Sequence, residues 1–113
     1  MTADDLRRIA LALPGAGEKS HFGKADFRVK DKIFASLPEP GRAVLKFARE
    51  QQEMLCSAEP AIFSPVKGGW GLKGWTNLAL VASDEITLAS ALRMGWENVS
   101  SKSLQSQTNA FQE

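Results

Sequence analysis

Cysteine occurs once in these 113 residues, at Cys56, histidine occurs once, at His21, and tyrosine is absent. A lone cysteine excludes an intramolecular disulfide and leaves a cysteine-based zinc site without ligands. A lone histidine excludes a paired-histidine metal site, so no cofactor is expected. No apolar run approaches the ~20 residues that a membrane span requires. The opening "MTADDLRRIALALPG" is too acidic at its start, and its apolar run too short, for a secretory signal. The expectation is a cytoplasmic protein with no membrane partner, which also suits a single free thiol. Charge of one sign is lacking too. The formal net charge is +1, so whole-molecule attraction to nucleic acid is excluded and only a local patch can supply it. What is present is ordinary for a folded domain: 43% hydrophobic and 24% charged residues, in a chain long enough to bury a core without staples. One domain is expected over residues 1–104, with 105–113 a polar tail; in the polar run after Ser100, Leu104 or Phe111 is expected to dock.

Thr2 and Asp5 are spaced as a capping box, and Leu6, Ile9, Ala10 and Leu13 follow as an amphipathic stripe that Pro14-Gly15 ends. From Phe27 the period becomes two. Phe27 and Val29 alternate with Arg28 and Lys30; Ile33, Ala35 and Leu37 alternate with Lys32, Phe34 and Ser36. Asp31 is placed in a tight hairpin, "PEPGR" makes the next turn, and Ala43, Leu45 and Phe47 complete a three-stranded meander. A helix fits Arg49 to Ala58, two strands fit Trp70–Leu72 and Thr76–Val81, and a last helix carries Leu88, Leu92, Trp96 and Val99 behind Ser83 as N-cap. The order α-β-β-β-α-β-β-α makes a two-layer α+β fold. Its five-stranded antiparallel sheet carries helices on one face.

Enzyme chemistry finds little support in these residues. Cys56 and His21 could in principle form a dyad, but Cys56 falls inside a helix beside Leu55, where free cysteine behaves as a small hydrophobe. His21 lies in a loop with no partner to orient it. The glycines of "KGGWGLKG" lead into a strand and are not closed by the Lys-Ser or Lys-Thr of a phosphate loop. Charge distribution says more. Between Lys19 and Arg49 lie eight basic residues against Asp26, Asp31 and Glu39, a local charge of +5, whereas residues 50–59 carry three glutamates and no base. Alternation puts Arg28, Lys30 and Lys46 opposite the apolar side chains. With Lys32 and Phe34 sharing that face, it becomes a basic surface containing an aromatic ring, suited to phosphate tracking and base stacking. The alternative is a plain solvated sheet face, its lysines guarding against edge pairing. In "GGWGLKGWTNLAL", Trp70 is expected to be a core anchor beside its glycines. Trp75 starts a strand on the side away from Leu78 and Leu80, flanked by Lys67 and Lys73.

The segments "LALPGAGEKSHFGKADFRVKDKIFASL", "VLKF", "PVKGGWGLKGWTNLAL" and "MGWENVSSKSL" follow one another in an order and spacing that resemble the MmcQ/YjbR family of small bacterial proteins, from about Leu6 to Leu104. The resemblance implies a secretion-chaperone-like α+β fold and a non-enzymatic, weak, base-nonspecific DNA-binding role in which double-stranded DNA is the partner. Arg28, Lys30, Lys32, Lys46, Lys67 and Lys73 would meet phosphate, and Trp75 would join them. A protein-interaction or chaperone-like adaptor that takes a peptide or a second copy is the other expectation, and a small-molecule pocket between helices and sheet a third.

Overall fold

The computed structural model describes residues 1–106. The elements follow in the order α1 (Ala3–Leu11), β1 (Ala16–His21), β2 (Lys24–Val29), β3 (Lys32–Glu39), β4 (Arg42–Lys46), α2 (Arg49–Ala58), β5 (Phe63–Pro65), α3 (Gly69–Leu72), β6 (Trp75–Ala79), a 3-10 turn (Leu80–Ala82) and α4 (Glu85–Val99). The strands form one sheet in the order β1-β2-β3-β4-β6-β5, antiparallel at every junction. The α+β architecture agrees with the sequence reading, but the sheet has six strands rather than five and the element order differs. β1 escaped because "AGEKSH" is an edge strand with five exposed residues and no apolar alternation. β5 is three residues long, with Phe63 alone buried. Trp70–Leu72, expected as a strand, lies within the single helical turn of α3.

α1 and α4 start as the physical chemistry of their ends requires. The Thr2 hydroxyl accepts from the Asp5 amide at 3.2 Å and the Asp5 carboxylate accepts from the Thr2 amide at 2.8 Å, the expected capping box. For α4 the N-cap is Asp84 rather than Ser83: its carboxylate accepts from the Thr87 amide at 2.7 Å, while the Ser83 hydroxyl turns back to the Leu80 carbonyl. These backbone amides hold the Asp5 and Asp84 carboxyls below the usual carboxylate range.

α1 and α4 pack on one face of the sheet. Leu6, Ala10, Leu88, Leu92 and Trp96 meet Phe27, Phe34, Ala35, Leu45 and Leu78, all essentially without solvent exposure. Each large apolar side chain buried here contributes roughly 1.5–3 kcal/mol. The Trp96 indole donates to the Pro14 carbonyl at 2.8 Å, tying the end of α1 to α4. Gly95 lets α4 lie directly on the strands, since a Cβ there would stand 3.1 Å from the Phe34 carbonyl oxygen. Leu104 packs over Gly15, as expected of it, and Phe111 lies outside the described residues.

One irregularity decides which side chains reach solvent. Phe27 pairs with Ala35, but Arg28 pairs with Ile33, so Phe34 is an extra residue in β3. This bulge resets the alternation. Phe34 and Ala35 both enter the core, and Ile33 shares the outer face with Arg28. The expected exposure of Phe34 is therefore corrected: it is fully buried.

Candidate binding site on the open sheet face

The face opposite α1 and α4 carries no helix packed across it among the described residues, and a hollow of about 430 Å³ opens there. Its floor is apolar, built from Ile33 of β3, Val44 of β4 and Val66 just beyond β5, with Pro38 and Ser36 beside them. The antiparallel register places the β1–β2 and β3–β4 turns at one end of the sheet. The β2–β3 turn, the end of β4 and the start of β6 lie at the other. The hollow is lined by His21 and Phe22 from the first end and by Trp70 and Trp75 from the second, so it runs obliquely across the strands. This volume lies in the lower part of the range typical of small-ligand sites.

The tryptophan side is fastened by backbone geometry. A Cβ on Gly71 would come within 1.9 Å of the Val66 carbonyl oxygen, and one on Gly74, whose φ is +99°, within 1.9 Å of the Phe47 carbonyl oxygen. The glycines thus serve close approach of one backbone segment to another, not burial of the indoles. The buried Gln52 amide of α2 donates to the Gly71 carbonyl at 3.0 Å and the Trp75 carbonyl at 3.1 Å. Arg49 donates to the Leu72 carbonyl at 3.1 Å and Lys46 to the Lys73 carbonyl at 2.6 Å. On this frame Trp70 and Trp75 meet edge to face, 6.1 Å between centroids. Trp70 was expected in the core and is instead 62% exposed; Trp75 is half-buried on the outer side, as its position in β6 implied. The Lys46 ammonium stands 5.2 Å from the Trp75 ring centroid and that of Lys73 stands 5.5 Å from Trp70.

The opposite lip is a turn held under strain. Phe22 has φ +53°, a left-handed conformation that costs a bulky L-residue about 1–2 kcal/mol, and its ring is 90% exposed beside His21, 4.3 Å between centroids. Gly23 follows with φ +76°. The β2–β3 turn uses the same device, with Lys30 at φ +49° and Asp31 at φ +68°, which confirms Asp31 in a tight hairpin.

The basic residues divide by type. Every arginine is ion-paired: Arg7 with Asp4 and Glu18, Arg8 with Glu85, Arg28 with Asp26, Arg42 with Glu39, Arg49 with Glu53 and Arg93 with Glu97. The Arg28 pair is bidentate, at 2.7 and 3.0 Å, and neutralises a carboxylate that is only 7% exposed beside the hollow. Among the described lysines, Lys19 alone pairs with a carboxylate, that of Asp31, at 3.1 Å. Of the seven expected site residues, Lys46, Lys73 and Trp75 are brought together. Lys30 and Lys32 are exposed at the β2–β3 turn, at the same end of the sheet. Lys67 is exposed beyond β5, near Glu39, Arg42 and Asn77. Arg28 is on the outer face but engaged by Asp26.

A family model described as YjbR matches residues 11–98. The chain belongs to the YjbR family. The match runs from the end of α1 almost to the end of α4, so the YjbR domain includes every strand and both lips of the hollow. Among solved structures the chain is similar to Deinococcus radiodurans protein DR2400, which carries the YjbR-type domain DUF419. Identity is 26% and the TM-score 0.69, over 84% of this chain and 75% of that one. No curated protein matches.

Within this YjbR domain, His21, Phe22, Ile33, Val44 and Val66 line the hollow without having been singled out as site residues. Phe22 had a signal, an aromatic directly before glycine between two charged segments; Ile33 and Val44 had none, because the bulge and the sheet order that expose them are tertiary. The Cys56 thiol is half-buried in α2, and burial pushes its pKa up, which disfavours the thiolate. His21 meets Phe22 edge to face and holds no carboxylate among the described residues. Those residues contain no cluster of three or more metal-ligating side chains, and no helix among them is long and apolar enough to cross a membrane.

Proposed function

We propose that this YjbR protein is a non-enzymatic DNA-binding protein that uses its open sheet face, weakly and without base specificity. The observation that carries the reading is the pairing of Lys46 with the Trp75 ring and Lys73 with the Trp70 ring. Neither ammonium group is matched to a carboxylate among the described residues, so both keep an unneutralised charge for phosphate even though Lys46 also donates to the Lys73 carbonyl, while the rings offer flat apolar surface beside them. Lys30, Lys32 and Lys67 extend this charge at the same end of the sheet or along its β5 edge. Arg28 adds least, because its Nε and Nη2 already donate to Asp26, whose carboxylate offsets its charge. Contacts of this kind position a nucleic acid without reading sequence.

A salt titration of labelled duplex DNA tests the proposal. Five lysine–phosphate contacts give a slope of about −4 to −5 for the logarithm of affinity against the logarithm of salt concentration. Absence of binding at low salt, or a signal indifferent to salt, removes the reading.

The adaptor alternative draws on a different observation: Phe22 and Trp70, exposed at 90% and 62%, line the same hollow, and Leu72, 69% exposed, ends the turn of α3 that carries Trp70. On that view the face docks a peptide. Binding of uncharged apolar peptides that persists in high salt, with no DNA binding, favours it.

A further inference from the structure

The hollow has a shape that the phosphate contacts do not explain. Its walls are apolar and aromatic over a floor of Ile33, Val44 and Val66, and the lysines stand at its rim. In a duplex the bases are stacked and their faces are closed to the protein, so a convex double helix meets the rim and leaves the interior empty. An unstacked base is flat, apolar on its faces and tethered to phosphate, which matches an apolar interior edged by ammonium groups. Resting on the DNA-binding reading above, we infer that the hollow receives unstacked bases of single-stranded DNA, with Phe22 on one lip and Trp70 and Trp75 on the other as stacking surfaces.

Three observations converge on this occupant. Charge complementarity is the first: Lys46 and Lys73 border the tryptophan side, and Lys24, exposed and without an ion pair among the described residues, borders the phenylalanine side. The one carboxylate beside the interior, that of Asp26, is neutralised by Arg28, so it does not repel the strand. The second is the conformation of Phe22. Glycine or asparagine would occupy φ +53° at lower cost, and a ring that is 90% exposed, with His21 edge to face beside it, gains little burial in return. A ring kept in that position serves something outside the chain. The third is the span. From β1 to β6 there are four strand spacings of about 4.8 Å, room for roughly two or three bases in the manner of other open sheet faces.

The test compares four probes of equal length at one salt concentration: a single-stranded deoxyoligonucleotide, its duplex, the same backbone without bases, and the ribo-oligonucleotide of the same sequence. The single DNA strand should bind about tenfold or more tighter than the base-free strand and the duplex, and should quench tryptophan fluorescence. Phe22→Asn, which relieves the turn and so folds at least as well as the parent, should lower single-strand affinity about tenfold while leaving duplex affinity unchanged. Trp75→Ala should also lower single-strand affinity about tenfold, with loss of part of the quenching. Equal affinity for the strand, its duplex and the base-free backbone overturns the inference and leaves the DNA-binding reading standing. Tighter binding of the ribo-oligonucleotide overturns the assignment to DNA. Binding of none of the four removes both readings.

Discussion

Three glycines around α3 separate two demands that a glycine can meet, and their alanine variants should rank accordingly. Gly68 has φ +76° and open space around it, so Gly68→Ala meets only the left-handed backbone cost, about 1 kcal/mol, partly offset by a stiffer unfolded chain. Gly71 has no positive φ, but its Cβ would lie 1.9 Å from the Val66 carbonyl oxygen. Gly71→Ala must therefore push α3 away from β5, at about 2–3 kcal/mol, and it loosens the Gln52 hydrogen bond to the Gly71 carbonyl. Gly74 combines both, with φ +99° and a Cβ 1.9 Å from the Phe47 carbonyl oxygen. Its carbonyl also accepts from the Phe47 amide at 3.1 Å and the Thr76 hydroxyl at 3.0 Å. Gly74→Ala should cost about 3–4 kcal/mol. Urea unfolding followed by far-ultraviolet circular dichroism gives the three values. Because Gly74 donates to the Gly71 carbonyl, the Gly71/Gly74 double variant should cost less than the two singles together. Equal destabilisation by all three, or a Gly68 variant as damaging as Gly74→Ala, refutes the assignment of these glycines to backbone approach.

The bulge in β3 makes Phe34 and Ile33 exchange their expected places: Phe34→Ala should cost about 3–5 kcal/mol in urea unfolding and Ile33→Ala under about 1.5 kcal/mol, the reverse of what strict alternation implies. At acid pH the capped helix ends weaken. The Asp5 and Asp84 carboxyls titrate below their unfolded value when folded, so their contribution is complete above about pH 4 and disappears as pH falls through the lowered folded values. The stability gap between the parent and Asp84→Ala should therefore close on acidification, and a gap constant with pH contradicts the assignment of the cap. Lys46→Gln and Lys73→Gln should each reduce the salt slope of DNA binding by about 1 unit, whereas Lys102→Gln should leave it unchanged.

What the sequence makes legible is what neighbours along the chain decide. The Thr2–Asp5 box, the α1 stripe, the α4 stripe through Trp96 and the Asp31 hairpin all rest on local spacing, and each is found. β1 has no such signal, because an edge strand with five exposed residues carries no alternating apolar face to detect. Phe34 was misplaced because a bulge depends on which residue of β2 faces it. Trp70 was misplaced because glycines beside an indole look the same whether they admit the ring to the core or admit a foreign carbonyl to the backbone. For the site, the lysines and Trp75 were legible as a basic, aromatic neighbourhood. That arginines would pair with carboxylates while most described lysines do not depended on geometry: Asp26 and Arg28 are two residues apart on one strand face, and Glu39 and Arg42 pair across a turn.

Amide and indole nuclear magnetic resonance shifts, recorded while single-stranded DNA is added at low salt, test the central claim most directly. The account predicts that shifts concentrate at the Trp70 and Trp75 indoles, Lys46, Lys73 and the β1–β2 turn, while the buried Trp96 indole and the α1–α4 face stay still. Shifts confined to the helices, or spread evenly over the surface, would contradict it.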